Sequence, residues 1–141
     1  MLVTYEIKQS VEVNQFIDLL RRSSLGERRP IDDLECMQGM IDNADLMVTA
    51  WHGQKLVGVA RSVTDFHFCC YLSDLAVDKA YQKHGIGIQL QRLTRQQVND
   101  HCKIILLAAP EAAGYYGHIG YTKHDRCWVL DRSDQLAAQR V

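Results

Sequence analysis

The stretch Gln82-Lys83-His84-Gly85-Ile86-Gly87-Ile88 is the part of this chain whose residue types and spacing point most directly at a ligand. Two glycines one residue apart let the backbone turn tightly and approach a bound group with no β-carbon in the way. A helix opening there presents N–H groups that lack intrahelical partners, a favourable place for phosphate. Lys83 adds a mobile positive charge. On these grounds the segment is a candidate pyrophosphate cradle, although the same residues also serve as an ordinary helix start. It is not the dinucleotide fingerprint, because Leu90 stands where the third glycine belongs. It also lacks the Gly-Lys-Ser/Thr ending of an ATP-binding P-loop.

Metal and nucleophile chemistry find less support. His52, His67, His84, His101, His118 and His124 are scattered along the chain, and neither Cys-x-x-Cys nor His-Glu-x-x-His occurs. We therefore expect no metal. Nothing fixes a Cys–His pair around Cys69 or Cys70, which read as strand residues. The five cysteines are an odd number with no framework spacing. Reduced thiols in a cytoplasmic protein are the simplest reading.

The elements that must position the glycine segment follow from periodicity. Leu2, Val3, Tyr5 and Ile7 outline a first strand, and Val13, Phe16, Ile17 and Leu20 a helix over 11–22. A polar connection, Ser23 to Pro30, leads to a second helix carrying Leu34, Met37, Met40 and Ile41, with Asp32 and Asp33 at its start. Strands are expected over 46–51 and 55–62 around a His52-Gly53-Gln54 turn, and over 69–77. A long helix from Gly87 to Asn99 then carries Leu90, Leu93 and Val98. Ile104 to Ala109 reads as a strand covered on both faces. A short helix over 112–118, a last strand from Tyr121 to Leu130 and a weakly ordered tail over 131–141 complete the order β-α-α-β-β-β-α-β-α-β. The expected architecture is α/β (α+β): one domain over 1–141, with a mixed central sheet flanked by helices.

The chain of 141 residues carries 16 basic and 17 acidic side chains, a formal net charge of −1, and is 47% hydrophobic. That balance argues against a general nucleic-acid binder and against charge-driven disorder. The longest apolar run, Ile104 to Ala109, falls far short of the roughly 20 residues of a membrane helix. The amino terminus has no basic stretch leading into an apolar one, so no signal peptide is expected. Arg21, Arg22, Arg28 and Arg29, with Glu27, Asp32 and Asp33 nearby, read as a solvated surface of mixed sign. Trp51 and Trp128 read as apolar strand residues.

Leu75-Ala76-Val77, a loop, and then Gln82-Lys83-His84-Gly85-Ile86-Gly87 together resemble the acetyl-CoA-binding motif of the GNAT superfamily of N-acetyltransferases. Gln82, Gly85 and Gly87 match that family's Gln/Arg-x-x-Gly-x-Gly/Ala residue for residue. Tyr115-Tyr116-Gly117-His118-Ile119-Gly120-Tyr121 is similar to its Phe/Tyr-Tyr-x-x-x-Gly-Phe/Tyr segment, at the right distance downstream. The two motifs span residues 72–121, and the element order fits over essentially the whole chain.

The resemblance implies acetyl-CoA as donor substrate, with the backbone from Gln82 through Lys83, His84, Gly85, Ile86, Gly87 and Ile88 around the pyrophosphate. The backbone of Leu75, Ala76 and Val77 is implied to pair with the pantetheine arm like a further strand. The strand carrying these residues is implied to splay from its neighbour. Tyr116 is implied as the general acid that protonates the departing thiolate. Asp74 and Glu35 are the candidate bases, with His118 and Cys70 weaker. The implied reaction is direct attack by a primary amine in a ternary complex. A small-molecule acceptor is favoured over a protein amine, because no extra domain is present to hold a larger partner. The alternatives are an acyl-CoA-binding regulator with little turnover, or a transferase acting on a protein or aminoacyl-tRNA. No membrane partner is expected, and homodimerisation is consistent with the family.

Overall fold

The computed structural model describes residues 1–8 and 10–137. Two compact units divide the chain, Met1–Leu107 and Ala108–Val141.

The first unit holds a five-stranded sheet whose spatial order is its chain order: β1 (Thr4–Lys8), β2 (Leu46–His52), β3 (Lys55–Thr64), β4 (Cys69–Val77) and β5 (Lys103–Ile105). The first three pairings are antiparallel. The β4–β5 pairing is parallel, the crossover being made by a helix, α3 (Ile86–Gln96). The β2–β3 hairpin turns through Gly53-Gln54, and Gly53 takes φ +62°, a value that suits glycine in a two-residue loop.

Local chemistry sets the two helices between β1 and β2. Glu12 caps α1 (Val13–Arg22), its carboxylate accepting from the N–H groups of Asn14 and Gln15 at 3.0 and 2.9 Å. Phe16, Ile17, Leu19 and Leu20 form its buried face. A single-turn 3-10 segment, Ser24–Arg28, follows. Asp33 then caps α2 (Leu34–Asp42) by accepting from the Cys36 N–H at 3.0 Å.

These helices bury Phe16, Leu19, Leu20, Met37 and Ile41 against Met47, Val59 and Ala76 of the sheet. On the opposite face, Ile86 and Leu90 of α3 pack on Val48, Ala50, Ala60 and Leu72. Each of the phenylalanine, leucine, isoleucine, methionine and valine side chains among them, once buried, contributes about 1.5–3 kcal/mol. Helix α3 lies directly over Gly58, where a β-carbon would stand 3.1 Å from both Ile86 Cγ2 and Leu90 Cδ1. A glycine in β3 thus seats the helix that opens at the glycine segment.

Most expected elements form within a few residues of their expected ends. The strand expected over 104–109 is shorter, Lys103–Ile105, and it is not covered on both faces: Ile105 and Leu107 are 44% and 52% exposed. An apolar run gives a strand its composition, but its length depends on a partner.

In the second unit, a 3-10 turn over Pro110–Ala112 and a one-turn helix, α4 (Tyr115–His118), replace the single short helix expected. No strand forms over Tyr121–Leu130 among the described residues, and Trp128, expected in that strand, is 91% exposed. A strand needs an extended partner to complete its ladder, and none pairs with this segment among the described residues. The tail expected over 131–141 is described to residue 137, with the Asp134 N–H donating to Asp131 O; the rest lies outside the described residues.

Candidate active site

Strand β4 is flanked by two partners over only part of its length. Its parallel pairing with β5 runs from Cys69↔Lys103 to Tyr71↔Ile105 and stops. Its antiparallel pairing with β3 continues to Gly58↔Val77. From Leu72 to Val77 the edge on the β5 side therefore keeps alternate N–H and C=O groups free of strand partners. The splay implied by the resemblance is present as this loss of pairing. An extended amide-bearing ligand can add to such an edge by main-chain hydrogen bonds.

The departure from β5 coincides with a bulge. Arg61 faces Asp74 while Ser62 faces Leu72, leaving Ser73 as the extra residue on β4. Two arginines occupy the groups this frees. Arg29 Nη2 donates to Ser73 O at 2.8 Å, and Arg61 Nη2 to Ser73 Oγ at 3.0 Å. Both oxygens of the fully buried Asp74 are taken as well, Oδ1 by Arg29 Nε at 2.5 Å and Oδ2 by Arg61 Nε.

At the far end of β4 the chain turns through Asp78, whose N–H donates to Val57 O at 2.9 Å. Its carboxylate pairs with Arg22 and lies 3.8 Å from Lys55 Nζ. Burial pushes this carboxyl up. The Ala80 N–H, the Arg22 guanidinium and Lys55 together outweigh that, and its pKa lies below the ordinary value. A depressed carboxyl stabilises the fold above the acid range, and that contribution disappears as pH falls through the folded-state pKa. Acid unfolding followed by circular dichroism should show it. Asp78→Asn should be less stable than the parent at neutral pH, and the two curves should converge below about pH 4. Parallel curves down to low pH would remove this group from the acid response.

Beyond a 3-10 turn, Lys79–Tyr81, lies the glycine segment. The side chain of Gln82 turns back, Nε2 donating to Val77 O at 3.1 Å, so this residue ties the loop to the end of β4. Lys83 and Gly85 take φ +68° and +79°, whereas His84 between them does not. Only a glycine adopts such backbone without steric cost, and Gly85 is the residue from which α3 starts.

No side chain caps that start, and the first helical bond recorded there runs from the Gln89 N–H to Gly85 O at 3.1 Å. The N–H groups of Ile86, Gly87 and Ile88 precede it. Gly87 leaves the approach open: a β-carbon there would meet Val77 Cγ2 at 3.8 Å and nothing nearer. Free donors, the positive end of a helix and left-handed backbone at two nearby residues together make an anion-binding concavity.

Leu75, Ala76 and Val77 thus run through Asp78 directly into the segment from Gln82 to Ile88, and the fold brings all ten expected donor-binding residues into one continuous stretch. Asp74 adjoins them but is engaged with Arg29 and Arg61. Glu35 is exposed in the first turn of α2. No recorded hydrogen bond joins it to the Asp74 group. The mixed-sign surface expected around the four arginines is half right. Arg21 lies 3.9 Å from Asp32 at the surface, but Arg29 turns inward to the middle of β4 and Arg22 to the residue that follows it. One signal could have revealed the buried pairing: Arg61 interrupts an otherwise apolar strand, and Asp74 does the same in the next.

Tyr116 belongs to the second unit. Its ring meets those of Tyr115 and Tyr121 edge-on, at centroid distances of 5.1 and 5.4 Å. The Tyr121 N–H also donates to Tyr116 O at 3.0 Å, which closes the turn after α4. Burial, and to a lesser degree Tyr115, raise the Tyr116 pKa above the ordinary phenol value. A phenol so placed holds its proton throughout the neutral range.

Comparison with known proteins places these features in context. A family model described as an acetyltransferase (GNAT) domain matches residues 27–131. A curated relative from Prochlorococcus marinus, an uncharacterized N-acetyltransferase ycf52-like, is 29% identical over 79% of this chain. The chain spans 65% of that relative's length and 53% of a second curated relative's. Among solved structures, the GNAT family acetyltransferase SP0256 from Streptococcus pneumoniae superposes with a TM-score of 0.74 at 19% identity, over 92% of this chain and 98% of that one. The aminoglycoside acetyltransferase meta-AAC0020, from an uncultured soil metagenomic sample and in complex with sisomicin, gives 0.68 at 21% identity, over 94% and 97%. At these identities the structural likeness establishes a shared fold.

Proposed function

Because the chain belongs to the GNAT acetyltransferase domain family, we propose that it transfers the acetyl group of acetyl-CoA to a primary amine of a small molecule. The observation that carries this reading is the continuity of the unpaired β4 edge, Leu72–Val77, with the uncapped start of α3. One stretch of backbone offers strand-like partners to an amide-bearing arm and free N–H groups to a pyrophosphate. Acetyl-CoA has both parts in that order, and bound there it supplies an activated thioester.

The residues then divide the work. Leu75, Ala76 and Val77 hold the arm, while Gln82 to Ile88 hold the phosphates. Tyr116 gives its phenolic proton to the sulfur as the nitrogen–carbon bond forms and the carbon–sulfur bond breaks. The amine loses one proton through water to Glu35 and on to solvent, and the phenolate regains one from solvent, so the products are an amide and free CoA. Asp74, with both oxygens engaged by guanidinium groups, serves as a positioning group rather than as the base. Glu35, exposed on α2, remains free to accept the amine's proton through water. The small-molecule acceptor is supported by the likeness to an aminoglycoside acetyltransferase whose solved structure holds sisomicin.

A turnover assay with acetyl-CoA and a broad panel of amines tests the proposal. It should record free CoA, acetylated product by mass, and CoA affinity by calorimetry. Product from at least one small amine is the expected result. Tight CoA binding without product from any amine would replace an enzyme with an acyl-CoA-binding regulator. Product only from proteins or charged tRNA would move the acceptor to a macromolecule.

A further inference from the structure

Three segments distant in sequence converge on the bulge of β4. Arg29 arrives from the connection between α1 and α2, Arg61 from β3, and the bulge itself is Ser73-Asp74. Arg61 also reaches α2, its Nη1 donating to Met40 O at 3.3 Å. Arg29 makes two bonds to consecutive β4 residues, to Asp74 Oδ1 at 2.5 Å and to Ser73 O at 2.8 Å. That carbonyl belongs to the extra residue of the bulge, two positions beyond Tyr71, the last residue of β4 paired with β5.

A freed carbonyl beside a buried carboxylate asks for a donor that can serve both, and the planar guanidinium does so with two N–H groups in fixed relation. Arg29 therefore fixes the place where β4 leaves β5. The side chain lies on a connection, Ser23–Pro30, that begins directly after Arg22, the last residue of α1, which is held to Asp78 and, at 2.9 Å, to Leu56 O. The two anchors bracket the stretch Leu75–Val77.

We propose that Arg29 is a positioning residue for the transfer reaction: by holding the Ser73–Asp74 bulge it keeps the β4 edge in its donor-receiving form and couples that edge to the α1–α2 connection. This inference rests on the acetyl-CoA reading for its consequence. The physical coupling it asserts exists in the ligand-free protein as well. Loosening Arg29 should loosen the connection and the donor edge together, although Arg29 itself touches neither phosphate nor thioester.

Arg29→Gln and Arg29→Lys test this against Glu12→Ala, a variant that removes the α1 cap and so lowers stability without touching β4. Amide hydrogen exchange is read in the ligand-free chain, and CoA affinity by calorimetry, at a temperature where all are folded. Arg29→Gln should speed exchange of Leu25–Arg29 and Leu75–Val77 together, and weaken CoA binding about tenfold. Arg29→Lys keeps a cation beside Asp74 but not the forked pair of bonds, so it should fold and give a smaller change in the same two segments. Glu12→Ala should change neither segment nor the affinity. Normal exchange at Leu75–Val77 in both Arg29 variants would overturn the proposal, as would equal changes in Glu12→Ala. If the parent binds no CoA, the acetyl-CoA reading fails by itself, and the exchange measurement still decides the coupling.

Discussion

Replacing Tyr116 with phenylalanine should lower turnover by about 100-fold to 10,000-fold, the range a positioned general acid contributes, while CoA affinity stays nearly unchanged. The substitution removes one oxygen and leaves the ring, so the edge-on contacts with Tyr115 and Tyr121 persist. A loss confined to the chemical step is then a loss of the proton donor. The pH dependence supplies a second readout. The Tyr116 pKa is raised by burial and by Tyr115, so its acid form persists across the neutral range. The parent should lose rate through this group only on an alkaline limb above about pH 10. The phenylalanine variant should lack that limb. Undiminished turnover on an acceptor that the parent acetylates would remove Tyr116 from the acid role.

Replacing Asp74 with alanine should produce the largest loss of stability of any single change considered, about 3–5 kcal/mol by chemical denaturation. Asp74 is fully buried and Arg61 nearly so, with 7% of its side chain exposed. Removing the carboxylate leaves that guanidinium without its counter-charge and with too little water to replace it. The size of the loss measures the broken pairing, not the net contribution of the pair. A double variant, Asp74→Leu with Arg61→Met, should therefore recover much of the stability by removing both charges at once. A single-variant loss below about 1 kcal/mol would mean that water reaches Arg61 and that the pairing is weaker than its burial implies.

The glycine segment and the elements around it were legible in the sequence because they are features of local backbone. Gly85 and Gly87, a strand before them and a helix after them are all features of neighbouring residues, and the α3 start falls one residue before Gly87. The arginine–carboxylate anchors were not legible. Arg29 and Asp74 are 45 residues apart and Arg22 and Asp78 are 56 apart, and charge counting places such residues at the surface by default. Arg61 and Asp74 each gave one hint, as charged residues inside mainly apolar strands, but neither names its partner. The strand expected over Tyr121–Leu130 failed for a related reason: its residues describe one chain segment, whereas a strand requires a second. Of the candidate bases, Glu35 is exposed in the first turn of α2. Asp74 accepts from Arg29 and Arg61, partners that its own strand does not name.

The unpaired stretch of β4 has a cost outside catalysis. A sheet edge with free N–H and C=O groups is the feature through which different chains recruit one another into aggregates. Here that edge lies inside the strand order rather than at its rim, is six residues long from Leu72 to Val77 with its Ser73 and Val77 carbonyls already engaged by Arg29 and Gln82, and is bent by the bulge at Ser73. Brevity and local twist are the devices by which sheets resist such recruitment. The short, kinked edge proposed to receive a thin, amide-bearing arm is therefore a poor template for another polypeptide.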